Sequence, residues 1–268
     1  MKKIAIHSVP RSGSTWLGSI FDSSPNVAYR YQPLFSYSHK SQLNEFSSTE
    51  DIQIFFNDIL YTDDEFVLQK KAIINNLVPV FKKSTITHIV YKEVRYHNIL
   101  KNLLRKDKEI KIIGIIRNPM AVINSWLNAP KEFKKELGWN ALEEWRHAHR
   151  KNLGKPEEFN GYEKWKEVAY LFEELKKTYP DRFYLIKYDE LMKNTLNLVE
   201  DVFYFCDLKL NEQTILFINK SKNIDKSDEK YSVYRTKNSD NNWKDELSKE
   251  IVEEIKKNIS GTNLIKYV

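Results

Sequence analysis

The chain has 268 residues, of which 41% are hydrophobic and 30% charged, and its formal net charge at pH 7 is +6. This composition is typical of a folded globular domain, and no run of about eighteen apolar residues could span a bilayer. The positive charge suits an anionic ligand, but lysines alternate with acidic residues instead of forming the basic stripe that nucleic-acid binding needs.

The N-terminus and the cysteine content predict where the protein resides. Met1-Lys2-Lys3 leads into a short strand without the apolar core of a signal peptide, so we expect a cytoplasmic protein. Cys206 is the single cysteine and follows the apolar run Val202 to Phe205. We therefore expect a buried, inert thiol instead of a nucleophile or a disulfide.

Apolar stretches rich in β-branched residues predict four strands, separated by helical patterns. They cover residues 3–9, 85–91, 110–116 and 183–188. This order predicts an α/β fold: a single-domain three-layer α/β/α architecture over residues 1–268, with a central parallel sheet. We predict two insertions beside the sheet that could form a lid: residues 36–64, which are polar and irregular, and residues 131–170, which carry several tryptophans.

The first strand runs directly into Pro10-Arg11-Ser12-Gly13-Ser14-Thr15-Trp16-Leu17, where a helical pattern begins. Free amides and the helix dipole make such a helix N-terminus a ready site for phosphate or sulfate. Gly13 permits close approach of the backbone, and Arg11 adds a permanent charge. The alternative to anion binding is that Ser12, Ser14 and Thr15 only cap the helix.

The loop differs from the Walker A motif of ATPases and kinases. That motif requires a glycine, four residues and then Gly-Lys-Ser/Thr, but here no lysine follows Gly13 and no earlier glycine opens the loop. The loop is P-loop-like in position only, and an ordinary nucleotide kinase is disfavoured.

A second anion signal follows the strand over residues 110–116. Arg117-Asn118-Pro119 turns into a helix, and Ser125 lies about two turns further along that helix. An anion held by Arg117 could therefore also meet Ser125. Taken alone, an Arg-Asn-Pro turn is usually only a helix start.

The two loops together resemble the PAPS-dependent sulfotransferases, nearest in pattern to carbohydrate and bacterial members (PAPS is 3′-phosphoadenosine 5′-phosphosulfate). The resemblance implies that the first loop binds the 5′-phosphosulfate, and that Arg117 and Ser125 bind the 3′-phosphate. It is strong in these two motifs and weak between them.

Further segments extend the resemblance towards the C-terminus. Tyr188, in the Lys187-Tyr188-Asp189-Glu190-Leu191 turn, matches a tyrosine near the adenine, and Trp16 either stacks beside the adenine or packs in the core. Arg235 and Lys237 match a basic loop that closes over the 3′-phosphate, although its usual glycine is missing.

The general base is the least certain part of the resemblance. Many relatives carry a catalytic glutamate before a proline about twenty residues after the first loop, where this chain has Gln32, which cannot act as a base. Its amide could orient the acceptor. Glu93 and His97 are the two candidate bases, and Glu93 is preferred because it lies closer to the predicted strand end. Arg95 could bind an anionic or sugar acceptor.

The resemblance implies transfer of a sulfuryl group from PAPS to an acceptor hydroxyl, with PAP, the desulfated nucleotide, as product. The acceptor is expected to be a small molecule or glycan, most plausibly in carbohydrate sulfation. No zinc-type ligand spacing appears in the sequence, so we expect metal-independent activity. Two alternatives stay open: a kinase-like P-loop enzyme, and a catalytically silent anion- or glycan-binding module on the same fold.

Overall fold

A computed structural model gives the architecture, and it describes residues 1–223 and 240–268. Five parallel strands form one sheet in the order β2-β3-β1-β4-β5. The strands are β1 Lys2–Ser8, β2 Val27–Tyr31, β3 His88–Glu93, β4 Lys111–Ile116 and β5 Phe183–Lys187.

The predicted strands are present with shifted ends, and one strand escaped prediction. The third strand begins at His88 instead of residue 85 and runs on to Glu93. The missed strand is β2, which pairs with β3 at the edge of the sheet. Its polar Arg30 weakens the hydrophobic signal, but the guanidinium donates to the main-chain carbonyls of Tyr29, Ile59 and Leu60 and so joins the sheet to the next helix.

Helices cover both faces of the sheet. They are α1 Ser14–Asp22, α2 Thr49–Leu60, α3 Lys70–Ile74, α4 Leu100–Lys106, α5 Pro119–Leu127, α6 Ala141–Glu144, α7 His149–Asn152, α8 Tyr162–Thr178, α9 Tyr188–Lys193, α10 Thr195–Phe205, α11 Glu212–Asn223, α12 Trp243–Glu246 and α13 Lys249–Ile259. Short 3₁₀ helices span Pro33–Phe35, His97–Ile99, Lys135–Leu137 and Asn263–Tyr267.

The expectation that residues 36–64 are irregular is wrong, because α2 fills twelve of them. Its start is a complete capping box, in which Ser48 accepts from the Asp51 amide and the Asp51 side chain accepts from the Ser48 amide. Ile52, Phe55 and Ile59 then bury one face of the helix.

Two apolar clusters, one on each face of the sheet, account for the three layers. One joins alternate strand residues such as Ile89 and Ile112 to α2, α4, α5, α8 and α13. The other joins Ile4, Val90 and Ile113 to α1, α10 and α11. The predicted α/β/α fold with a central parallel sheet is thereby confirmed.

The segment over residues 131–170 contributes to the first of these clusters. Trp145, Tyr162 and Trp165 are all buried in it, so these aromatic rings pack the core instead of lining an open surface. Among residues 1–223 and 240–268, no helix has the length and apolar character needed to cross a bilayer.

Candidate functional site

The carboxyl ends of the five parallel strands meet at one edge of the sheet, where α/β proteins bind their ligands. Gln32 follows β2, Glu93 ends β3, Arg117 follows β4 and Tyr188 follows β5. The loop after β1, residues 9–13, lies between them because β1 is the central strand. The fold therefore brings most of the predicted site residues to a common edge.

The loop after β1 has a backbone suited to anion binding. Arg11 (φ 69°) and Gly13 (φ 85°) are both left-handed, and Gly13 caps α1 without a side-chain hydrogen bond from the described residues. The serine and threonine cluster therefore does not act as the N-cap. Ser14 instead accepts from Ser8 (Oγ to Oγ, 2.8 Å), and the buried Ser12 hydroxyl has no hydrogen-bond partner in the described part of the chain.

Tyr188 packs directly on this loop. A Cβ added to Gly13 would lie 2.3 Å from Cε2 of the Tyr188 ring, so any larger residue would displace the tyrosine as well as strain the backbone. The Arg117 guanidinium lies 5.0 Å from the centre of the same ring. Gly13, Arg117 and Tyr188 thus form one contact group.

The two predicted anion-binding arginines are joined by short-range contacts. Arg11 donates from Nε to Ser125 Oγ (3.1 Å), and its main-chain carbonyl accepts from Arg117 Nη1. These contacts bring the loop after β1 and the turn after β4 together. Each guanidinium also holds a carboxylate: Arg11 that of Glu132 (3.3 Å), and Arg117 that of Asp240 in a bidentate pair.

The Arg117 side chain is almost completely buried. Burial opposes its charged form, but the hydrogen bonds and charge of Asp240 outweigh burial and raise the pKa of Arg117. A guanidinium buried in this way requires an anionic partner, because an unpaired buried charge is costly.

Of the remaining predicted donor-site residues, Trp16 and Thr15 lie at the start of α1. Trp16 is half-buried and donates from Nε1 to Ser221 Oγ (2.9 Å) at the end of α11, while Thr15 is half-exposed in the first turn of α1. Arg235 and Lys237 lie outside the described residues.

The carboxyl ends of β2 and β3 carry a second group of polar side chains. Arg95 donates to Glu158 (2.8 Å) and to Gln32 Oε1 (3.4 Å), and its guanidinium stacks 4.0 Å from the centre of the Phe35 ring. Gln32 has a left-handed backbone (φ 43°) and is buried. We call this group the acceptor side. It lies next to the loop after β1, residues 9–13, which we call the donor loop, because β3 pairs with β1.

Glu93 is fully buried at the end of β3. Its Oε1 accepts from the Leu34 amide (2.8 Å), whereas Oε2 has no hydrogen-bond partner among the described residues. Burial raises the pKa of Glu93, and the neighbouring Lys92 charge opposes that rise only in part. The free oxygen can take a proton once the carboxyl is ionised, and the raised pKa makes the ionised form a stronger base than an ordinary carboxylate.

Lys92 was not singled out by the sequence interpretation. It is buried, its Nζ lies 4.5 Å from the centre of the Tyr31 ring, and burial lowers its pKa. Glu93 and Glu132 favour its charged form, while Arg95 and Arg11 oppose it. Lys92 therefore lies between the donor loop and the acceptor side. The sequence feature that could have indicated Lys92 is its position as a lysine near the end of a strand whose residues are all buried.

His97, the second candidate base, lies in the core. Its Nδ1 is 3.1 Å from His7 Nδ1, the rings of Phe159 and Phe172 pack around it, and none of its surface is exposed. Burial lowers the pKa of His97 to about 3. The structure gives this ring a packing role, and Glu93 is the better placed of the two candidates.

Comparison with known proteins gives a family match and structural neighbours. A model of the sulfotransferase domain matches residues 1–264. A mouse sulfotransferase complexed with PAP is 15% identical, with a TM-score of 0.54 and coverage of 99% of this chain and 86% of that one. A retinol dehydratase in complex with retinol and PAP is 18% identical, with a TM-score of 0.55 and coverage of 98% and 82%. No curated protein sequence matches the chain.

Proposed function

This chain belongs to the sulfotransferase family, and we propose that it transfers a sulfuryl group from PAPS to an acceptor hydroxyl of a carbohydrate or glycoconjugate. The solved neighbours in complex with PAP support the choice of donor. The carbohydrate acceptor rests on the sequence pattern and on the exposed Phe35 ring beside Arg95, which suits stacking on a sugar face.

The pairing of Arg11 and Arg117 with carboxylates carries the proposal. A guanidinium fork binds carboxylate and phosphate oxygens with the same geometry, so Glu132 and Asp240 mark two oxyanion positions at one sheet edge. A donor with a 5′-phosphosulfate and a 3′-phosphate needs two such positions.

Other features of the loop fit the same ligand. The orphaned Ser12 hydroxyl is a buried donor without a partner among residues 1–223 and 240–268, which a phosphate oxygen would supply. Arg11 and Gly13, whose backbones are left-handed, directly precede α1, where the helix dipole favours an anion.

The proposed chemistry divides between the two sides of the site. In an in-line transfer the S–O bond to the donor phosphate breaks while a new S–O bond to the acceptor oxygen forms. Arg11 and the loop amides stabilise the negative charge left on the phosphate, and Glu93 takes the acceptor proton. Gln32 and Arg95 hold the acceptor. The described residues contain no group of three or more His, Cys, Asp or Glu side chains that could hold a metal ion.

The two alternatives differ in their support. The kinase-like enzyme is not favoured, since the family match covers nearly the whole chain and the Walker lysine is absent. The silent binding module draws on one observation, the complete burial of Glu93. Incubation of the protein with PAPS and a library of hydroxyl acceptors separates these readings. We expect PAP release, whereas PAP binding without release to any acceptor would favour the silent module.

We expect Arg117→Ala to weaken PAP binding by about 10- to 150-fold, the loss of a charged hydrogen bond worth about 1.5 to 3 kcal/mol. Titration calorimetry with PAP measures the effect. Because Arg117 is buried and paired, the double variant Arg117→Ala/Asp240→Asn should be measured beside it, since it leaves no unpaired carboxylate. Wild-type PAP affinity in both folded variants would contradict the assignment.

Asp240→Asn alone is expected to tighten PAP binding by about fivefold, equivalent to about 1 kcal/mol for a partly exposed ion pair. The carboxylate occupies the guanidinium that the phosphate needs, so its neutralisation frees Arg117 for the ligand. Asp245→Asn makes the same charge change at an exposed position of α12 and serves as the control. Equal affinities in the two variants would show that Asp240 does not compete with PAP.

A further inference from the structure

Lys151 differs from three other cations in this part of the molecule, each of which is paired with a carboxylate. Arg95 is paired with Glu158, Arg11 with Glu132 and Lys134 with Glu136. Lys151 is only partly exposed, and within residues 1–223 and 240–268 it has neither a hydrogen bond nor an ion pair from its ammonium group. A half-buried ammonium loses hydration, which a partner usually restores.

The charges that act on Lys151 include those of Arg95 and Glu158 on the acceptor side. Burial lowers the pKa of Lys151, and the positive charge of Arg95 lowers it further. Glu132 and Glu158 act in the opposite direction, and Lys134 adds to the effect of Arg95. Both glutamates already pair with an arginine, so the excess charge at this place is positive.

The backbone under Lys151 is fixed by unusual local structure. Ala148 and Leu153, on either side of the four-residue helix α7, both adopt left-handed φ angles of 50°. The Asn152 amide donates to the carbonyls of His147 and Asn160, and its oxygen accepts from the Asn160 amide. Such strained conformations persist only when surrounding contacts hold them.

The segment after α7 is attached to the end of β3. The Tyr96 amide donates to the Glu157 carbonyl (3.1 Å), next to the ion pair between Arg95 and Glu158. Gly161 then lets the chain pass close to the Arg146 carbonyl, which a Cβ would approach to 2.9 Å. Hydrogen bonds and an ion pair therefore tie the segment that carries Lys151 to the end of β3 that carries Arg95.

We propose that the acceptor carries an anionic group, a carboxylate or a phosphate or sulfate ester, and that Lys151 binds this group beside Arg95. This inference rests on the proposed function and narrows its acceptor class. The anion would supply the partner that Lys151 lacks among the described residues. Phe35 would contact the uncharged face of the acceptor, since its ring is 46% exposed beneath the Arg95 guanidinium.

Matched acceptors test the proposal. PAP formation from PAPS is followed with 4-nitrophenyl β-glucoside, the corresponding glucuronide and the glucoside 6-phosphate. We expect kcat/KM to be about tenfold or more higher for at least one charged probe than for the neutral glucoside. The carboxylate and the phosphate ester are separate arms, so the result also distinguishes the two anion sources.

Variants of Lys151 test the residue itself. Lys151→Met keeps most of the aliphatic stem and should abolish the preference for the charged probe through KM, with PAP affinity unchanged. Lys151→Arg should retain the preference. Lys155→Met removes an exposed lysine of the same segment and should behave as the wild type.

Two outcomes overturn the inference while leaving the proposed function intact. In the first, the protein binds PAP but the charged probes give no advantage: transfer to the neutral glucoside is equal to or better than transfer to both charged probes, or neither charged probe is sulfated. The other is a charge preference that survives in Lys151→Met. Failure to bind PAP would instead contradict the proposed function.

Discussion

Replacing Glu93 by glutamine is expected to lower kcat by about 10²- to 10⁴-fold, the usual contribution of a general base. The amide keeps the volume of the side chain and can still accept from the Leu34 amide through its oxygen. It cannot take a proton from the acceptor hydroxyl. Because the substitution leaves Arg11, Arg117 and the rest of the loop after β1 unchanged, PAP affinity should change little.

The pH dependence gives an independent readout of the same role. Glu93 must be ionised to accept a proton, and burial raises the pKa of its carboxyl. The rate for the wild type should therefore increase with pH above the range in which an ordinary carboxyl titrates, and this limb should disappear in Glu93→Gln. The pH profile of single-turnover transfer measures both effects.

The stability of the variant should move in the opposite direction to its activity. A carboxyl whose pKa is raised on folding binds more protons in the native state, so it costs stability progressively as the pH rises above its unfolded value. Glu93→Gln should remove that cost at neutral and higher pH. Glu157→Gln, a half-exposed neighbour, is the control. An unaltered kcat in folded Glu93→Gln would assign the proton transfer to another group.

The parts of the fold and site that could be predicted from the sequence are those encoded by short contiguous motifs. β1 and β4 are short apolar runs that end in Pro10 and Arg117, and each pattern is visible within about ten residues of sequence. β2 and α2 were missed for different reasons. In β2 the burial of Arg30 depends on carbonyls from α2, which no local pattern contains, whereas the capping box of α2 was readable.

The parts of the site that the sequence did not reveal depend on distant contacts. Glu132 and Asp240 gain their importance only from their pairing with Arg11 and Arg117, which are 121 and 123 residues away. Lys92 is distinguished by its burial beside Tyr31, and Lys151 by the lack of a described partner. Pairing and desolvation are properties of the folded chain, so residue types and spacing carry little information about them.

Arg11→Ala is expected to reduce sulfuryl transfer by at least about 10²- to 10³-fold, the effect of removing one preorganised donor from a site of developing charge. Its guanidinium bonds to Ser125 and Glu132, and it is the cation of the loop that would face the leaving phosphate. PAP binding should be reduced far less than kcat, because Arg117 is unchanged and the charge on the leaving oxygen develops only during transfer.

Arg11→Lys separates charge from geometry, since lysine keeps the positive charge but lacks the planar fork. We expect it to recover only part of the lost rate. Single-turnover transfer gives the chemical step and calorimetry with PAP gives the binding step. Arg105→Ala, on the exposed face of α4, is the matched control. If Arg11→Ala lost PAP affinity and kept its single-turnover rate at saturation, Arg11 would hold the donor in its ground state alone, and the loop amides would have to stabilise the departing phosphate.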